Sequence, residues 1–275
     1  MTPDRGRLVL EADDARLELS PGDGGRISSL IVRGSELLRS DVDDPKLWGS
    51  YPMVPFAGRI RHGRFPFAGR EVQLALNDAP HAIHGTVFNR PWRIDGPATI
   101  SIDLGPDWPF SGRVTQRFDL RDDGLAVSLT LEADEPMPAA MGWHPWFRRR
   151  LAGSSAAPTE PSAPVQIDLD AAWMYVRDAE GIPSGELVEP PPGPWDDCFT
   201  GLRSAPRLTW PGLLRLEVAS SCDHLVVYDE PPDAVCVEPQ TAPPDFVNLA
   251  PSTTVPGEPL VATMTWRWWA LDGIR

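Results

Sequence analysis

The chain has 275 residues, 41% of them apolar, and 39 acids against 25 bases give a net charge of −14. An excess of that size argues against nucleic acid and anionic membranes as partners, since both repel the chain at long range. What remains is a soluble protein with a neutral or locally steered ligand, long enough for one large domain over residues 1–275.

The chain opens with Met1-Thr-Pro-Asp-Arg-Gly-Arg, which lacks the apolar core of a signal peptide. Leu8-Val-Leu-Glu-Ala and Ala15-Arg-Leu-Glu-Leu-Ser alternate apolar and polar residues around an Asp13-Asp14 turn, and Ile27-Ser-Ser-Leu-Ile-Val follows a glycine-rich break. Residues 113–120 and 125–131 predict a hairpin around Arg121-Asp-Asp-Gly, with Leu125, Val127, Leu129 and Leu131 on one face. Further strands are expected at 165–169, 213–218, 225–228, 235–237 and 260–268. Two loops interrupt them: a low-complexity stretch over 152–164 and a polyproline-like connector, Glu189-Pro-Pro-Pro-Gly-Pro-Trp. With 32 prolines and 23 glycines, long helices are not expected, and strands punctuated every 8–12 residues indicate an all-β sandwich or barrel. No stretch reaches the roughly 20 apolar residues of a membrane span. Cys198, Cys222 and Cys236 are too few and too scattered for a disulfide or zinc framework, which suggests reduced thiols and a cytoplasmic protein.

Glu238 stands out among candidate chemical groups. A β-branched run, Val235-Cys-Val, delivers it, and Pro239 follows at once, so the strand is expected to end there or to lie at an edge. A carboxylate on rigid backbone suits a positioned acid or base, but a solvated strand-end glutamate looks the same locally. His144, in Met141-Gly-Trp-His-Pro-Trp-Phe, is an imidazole among large aromatics: either a packed core residue or an acid–base group beside a sugar-stacking platform. His81 and His84 lie three apart, but flanking proline and glycine argue against a helix that would make them a metal pair. His62 and His224 sit by turns and read as surface residues. Arg59 is either part of a solvated basic turn or an inward hydrogen-bond fork. Asp196 and Asp197 lie between Trp195 and Phe199.

Taken together, the pieces resemble the aldose 1-epimerase (mutarotase) family over most of the chain. The landmarks occur in the family's order. Pro55-Phe-Ala-Gly-Arg-Ile-Arg-His-Gly-Arg-Phe, with Leu74-Ala-Leu-Asn77 after it, is similar to the arginine segment. Ala82-Ile-His-Gly85 and Gly142-Trp-His-Pro-Trp-Phe147 resemble the two histidine motifs. Val237-Glu-Pro-Gln-Thr-Ala-Pro-Pro-Asp245 resembles the glutamate motif, and Ile182-Pro-Ser-Gly-Glu186 and Asp196-Asp-Cys-Phe199 are further likenesses.

The resemblance implies a large antiparallel β-sandwich of the galactose mutarotase-like type with few short helices, and a sugar cleft on one sheet. It implies Glu238 as general base and His144 as general acid, with Arg59, His84 and Asp196 on the sugar. Asp197 is the alternative to Asp196. Opening and closing a sugar ring moves two protons through a neutral aldehyde, so no metal or other cofactor is called for. The implied partner is a small-molecule sugar, bound by a monomer or homodimer. Three departures matter: Gly58 stands where asparagine is common, Trp146 replaces a tyrosine, and Phe88 occupies a position where relatives acting on hexose 6-phosphates tend to carry arginine. A hexose-6-phosphate 1-epimerase using Arg61, Arg64 or Arg90 is the alternative within the family, and a non-catalytic carbohydrate-binding protein the alternative outside enzymes. A cupin-like metal site would draw on His81, His84, His144 and Glu238.

Overall fold

Most strands fall into two antiparallel sheets, and three two-stranded pairs stand apart from them among the described residues. The structure, a computed structural model, describes residues 6–152 and 162–271. In spatial order the larger sheet runs Leu8–Glu11, Ala15–Ser20, Arg26–Val32, Ser50–Met53, Gly142–Arg148, Ala234–Gln240, His224–Tyr228, Asp196–Leu202, Ala171–Arg177 and Pro183–Val188, and Ser35–Glu36 pairs off Arg26–Val32. The second sheet runs Arg93–Gly96, Thr99–Asp103, Gly112–Arg121, Gly124–Ala133, Leu260–Ala270, Leu214–Ser220, Arg207–Trp210 and Gln166–Asp168. Among the described residues, helix is limited to Phe246–Leu249 and two single 3-10 turns, and no helix is long and apolar enough to cross a membrane.

The sheets pack face to face. Leu17, Leu30, Phe147 and Val237 of one share a continuous apolar cluster with Val114, Leu129, Leu216 and Trp266 of the other. Phe147 and Trp266 meet across the seam with ring centroids 5.1 Å apart. Trp143 donates its indole N–H to Gln116 Oε1 at 2.9 Å, and Gln116 donates in turn to Gly25 O, so these two buried polar side chains are paired, whereas the Trp266 indole N–H is buried without a partner. This is the all-β sandwich expected from alternation. The predicted hairpin forms between Gly112–Arg121 and Gly124–Ala133 in unbroken register. Trp266 and Trp268 are core, whereas Trp269 is 45% exposed. Of the low-complexity stretch predicted over 152–164, residues 153–161 lie outside the described residues.

One expectation fails. The strand carrying Glu238 neither ends at Pro239 nor lies at an edge: it runs Ala234–Gln240 in the interior, between Gly142–Arg148 and His224–Tyr228. Ladder pairs form at Gly142–Gln240 and again from Trp146–Cys236 onward. Pro145 and Pro239, which have no N–H to donate, both fall in the stretch between on this side, while on their other sides Pro145 pairs with Ser50 and Pro239 with Leu225.

Candidate active site

The period-two geometry of the larger sheet collects the chemistry on its outer face. Val235 and Val237 point into the sandwich, while Cys236, Glu238 and Gln240 point away from it. The same alternation splits the aromatic motif: Trp143 and Phe147 join the core, and His144 and Trp146 face outward. Register places His144 opposite Tyr51 on one side and, within the gap flanked by Gly142–Gln240 and Trp146–Cys236, opposite Glu238 on the other. The two groups are therefore cross-strand neighbours, and His144 Nε2 lies 3.5 Å from Glu238 Oε1 with both side chains buried. Two strands beyond Glu238, Asp196 sits opposite Tyr228.

Loops over this face bring in the remaining candidates. Arg59–Ile60 pairs with Ala82–Ile83, setting Arg59 opposite Ile83. Asn77 clamps Ile83 from both sides, accepting its N–H at 2.8 Å and donating to its carbonyl at 3.0 Å. Next to that clamp His84 adopts a left-handed backbone (φ +59°), unusual for a non-glycine residue. Its N–H bonds Gly58 O, and Gly85 must be glycine, because a Cβ there would lie 2.0 Å from Val54 O. Gly58 likewise has no room: a Cβ would fall 2.6 Å from Pro244. The glycine found where asparagine was the commoner residue thus lets the stretch after Glu238 pack against the arginine segment. Asp245, buried and itself left-handed, completes the join by donating its N–H to Arg59 O and accepting from Arg61 N.

The result is a cleft of about 260 Å³, at the small end for ligand sites and sized for one small molecule. Arg59, His84, His144, Asp196 and Glu238 all line it. His144 stacks on Trp146 with centroids 5.1 Å apart and rings 14° from parallel, and His84 meets it edge-on at 4.8 Å. The Trp146 ring is therefore covered by the His144 imidazole and by the Arg39 guanidinium, which lies 4.3 Å from its centre. Asp196 and Asp197 both face the cleft and share Arg177, each at 2.8 Å. His81 turns away to lie against His62, with ring centroids 5.4 Å apart and rings 41° from parallel, and its Nδ1 accepts the His62 N–H, which removes it from any metal set with His84. His224, expected at the surface, is half-buried and shares a 3.2 Å hydrogen bond with Tyr175 Oη.

Sequence reading missed four lining residues. Arg177 orients both acids. Lys46, the only lysine, donates to Asp78 at 2.9 Å, while Arg59 approaches the same carboxylate at 3.6 Å. Gln240 donates weakly to Glu238 Oε2 at 3.4 Å, and its own Oε1 is buried without a partner. Only the spacing of Gln240, two residues from Glu238 on a strand, was a usable signal.

Burial dominates the electrostatics. It pushes the Glu238 carboxyl well above the usual range, helped by the Asp196 carboxylate and opposed by Gln240 and Arg59. It holds the His144 imidazole well below its usual value, with His84 adding to the effect. His84 falls to about 3 for the same reason, with Arg59 and Lys46 contributing.

The depressed His84 value has a stability consequence. From its ordinary value near 6.5 down to about 3, the unfolded chain takes up a proton that the folded one refuses. Stability then falls as pH falls through that window. Between about pH 7 and pH 5 the contribution lost is about 2 kcal/mol. His84→Asn, which tolerates a left-handed backbone, is expected to flatten the decline of thermal stability over this range by that amount. An unchanged slope would mean the imidazole is not neutral and buried in solution.

The family model for aldose 1-epimerase matches residues 21–265. An uncharacterised protein, YphB, of Escherichia coli (strain K12) is 28% identical over 251 residues, covering 76% of this chain and 81% of that one. The galactose mutarotase of Bos taurus is 26% identical over 201 residues, 66% of this chain and 57% of the relative. Among solved structures, that of a putative aldose 1-epimerase from Escherichia coli K12 superposes with a TM-score of 0.81 at 21% identity, covering 97% and 99% of the two chains. With the fold, the ordered motifs and a match over most of its length in agreement, this chain belongs to the aldose 1-epimerase family.

Proposed function

We propose that the protein interconverts the α and β anomers of a free aldose, with Glu238 and His144 moving the two protons and Arg59, His84 and Asp196 holding the ring. The observation that carries this reading is the buried pair itself, an imidazole nitrogen 3.5 Å from a carboxylate oxygen at the floor of a small cleft. Ring opening takes a proton from the C1 hydroxyl and gives one to the ring oxygen. Both oxygens sit on the same carbon, so two neighbouring proton groups reach them together.

The roles first assigned, Glu238 as base and His144 as acid, require the carboxylate and imidazolium. Burial favours the neutral acid and neutral imidazole in the empty cleft. These two states hold the same single proton and differ only in where it sits. The pair enters the reaction in one arrangement and leaves in the other, and closure on the opposite face of C1 runs the exchange backwards. Sugar hydroxyls that hydrogen-bond the carboxylate favour the ionised arrangement on binding. Positioned proton transfer contributes roughly 10²–10⁴-fold for each group, and the ring contacts supply orientation.

The charges facing the cleft favour an uncharged sugar. Lys46, Arg59 and Arg177 are matched by Asp78, Asp196 and Asp197. The arginines considered for a phosphate are engaged elsewhere: Arg61 with Asp178, Glu180 and Asp245, Arg64 with Gln73, and Arg90 with Leu104 O. A pure binding protein would have no use for an acid and a base in contact. Polarimetry of freshly dissolved α-glucose, α-galactose and glucose 6-phosphate decides among these readings. The free sugars are expected to drift to equilibrium faster with the protein present. Acceleration confined to the phosphate would reverse the substrate assignment, and acceleration of none would remove the enzymatic one.

A further inference from the structure

We propose that the cleft is also a binding site for a thiophilic divalent cation, held by His144, Cys236 and Glu238, and that the bound ion blocks sugar turnover. Cys236 lies two residues before Glu238 and points to the same face of the sheet, opposite Trp146 and Tyr228. Its sulfur, a His144 ring nitrogen and a Glu238 oxygen lie within 4.8 Å of one another, and all three residues are buried. The thiol is free.

Spacing and donor chemistry both fit. Zinc bonds of 2.0–2.3 Å in a tetrahedron put ligand atoms about 3.3–3.7 Å apart. The nitrogen and carboxylate oxygen already stand at 3.5 Å. The sulfur has to close by about 1 Å at most. One nitrogen, one sulfur and one oxygen form a set that zinc, cobalt and cadmium accept, whereas magnesium and calcium prefer oxygen alone. His144 Nδ1 makes no hydrogen bond, so no neighbour fixes the tautomer against presenting Nε2 to a metal. His144 and Glu238 line the cleft while Cys236 lies buried behind them, so water or a sugar oxygen from the cleft would complete the shell.

Binding releases the thiol proton to solvent, and the carboxyl proton with it where Glu238 carries one. An ion seated there occupies both groups that the proposed reaction uses, so it acts as an inhibitor and not as a cofactor. The inhibition arm rests on that proposed reaction; the binding arm does not.

The test uses the full chain. Titration with Co²⁺ is expected to produce a thiolate-to-cobalt charge-transfer band that saturates at one ion per chain. Cys236→Ser and Cys236→Ala should abolish the band, and Cys198→Ser should keep it. Zn²⁺ is expected to slow anomer interconversion, with recovery on adding a chelator. Cys236→Ser should keep the metal-free rate and need roughly 100-fold or more additional zinc for equal inhibition. No band in the native protein, or an unaltered band in both Cys236 variants, would overturn the site. Should the native protein show no epimerase activity, the cobalt spectrum still decides the binding site and only the functional reading fails.

Discussion

Glu238→Gln is expected to slow anomer interconversion by roughly 10²–10⁴-fold while leaving the fold intact. The substitution keeps the volume of a side chain that is only 3% exposed and removes the atom that exchanges the proton. It is also kind to the folded state, because burial already favours an uncharged group there. Above the ordinary glutamate value near 4.5, the folded chain retains a proton that the unfolded chain releases. Stability from this residue is therefore lost as pH rises toward the raised folded value. The amide has no such dependence, so the variant should be at least as heat-stable as the parent at about pH 8. Polarimetry and thermal unfolding on the same sample separate the two effects. Full residual activity would take Glu238 out of the mechanism. A collapse of stability would show that the carboxylate is structural.

The partner residue sharpens the argument. His144→Gln should cost a similar factor in rate, and the double variant should lose little more than either single one. A proton-exchanging pair fails as a unit once one member is gone. Multiplicative losses would mean that the two residues act separately and that the 3.5 Å contact is incidental.

The sandwich was readable in advance because its cause is local: alternation such as Leu125, Val127, Leu129 and Leu131 places one face in the core wherever the strand lies. The order of the motifs carrying Arg59, His84, His144 and Glu238 was visible for the same reason. The rest depends on which strands become neighbours. Pro239 looked like a strand end because its lost donor is local, whereas its place in the sheet interior depends on pairing with Gly142–Arg148 and His224–Tyr228, which lie elsewhere in the chain. The choice between Asp196 and Asp197 stayed open because Arg177, on the next strand, draws both acids together. Lys46 and Asp78 come from loops with no periodicity to read. Gly58 read only as a departure from asparagine, because the Pro244 that packs against it lies far along the chain.

Arg26→Met is expected to lower stability by about 3–5 kcal/mol, although among the described residues the guanidinium's hydrogen-bond partners are backbone carbonyls. Arg26 is fully buried, and burial draws it down to about 10. Its donors serve three carbonyls from separate segments, Asp23 O at 2.6 Å, Trp48 O at 2.8 Å and Phe88 O at 3.1 Å. The guanidinium also lies 4.1 Å from the centre of Trp48 and 5.2 Å from that of Tyr51. Methionine fills most of the space and satisfies none of the carbonyls, each of which then loses about 1–3 kcal/mol less whatever relaxation recovers. The fall in Tm should be on the order of 10 °C. Arg26→Lys should recover only part of it, because a single ammonium cannot span three divergent acceptors. Tyr51, held over the arginine, packs on His144 at 4.9 Å and on Phe88 at 5.3 Å. The variant should therefore also lose rate at temperatures where it remains folded. A lower Tm with an unchanged rate would mean that the hydrogen bond from Tyr51 Oη to Lys46 O suffices to hold the cleft floor. An unchanged Tm would mean that the three carbonyls find water instead.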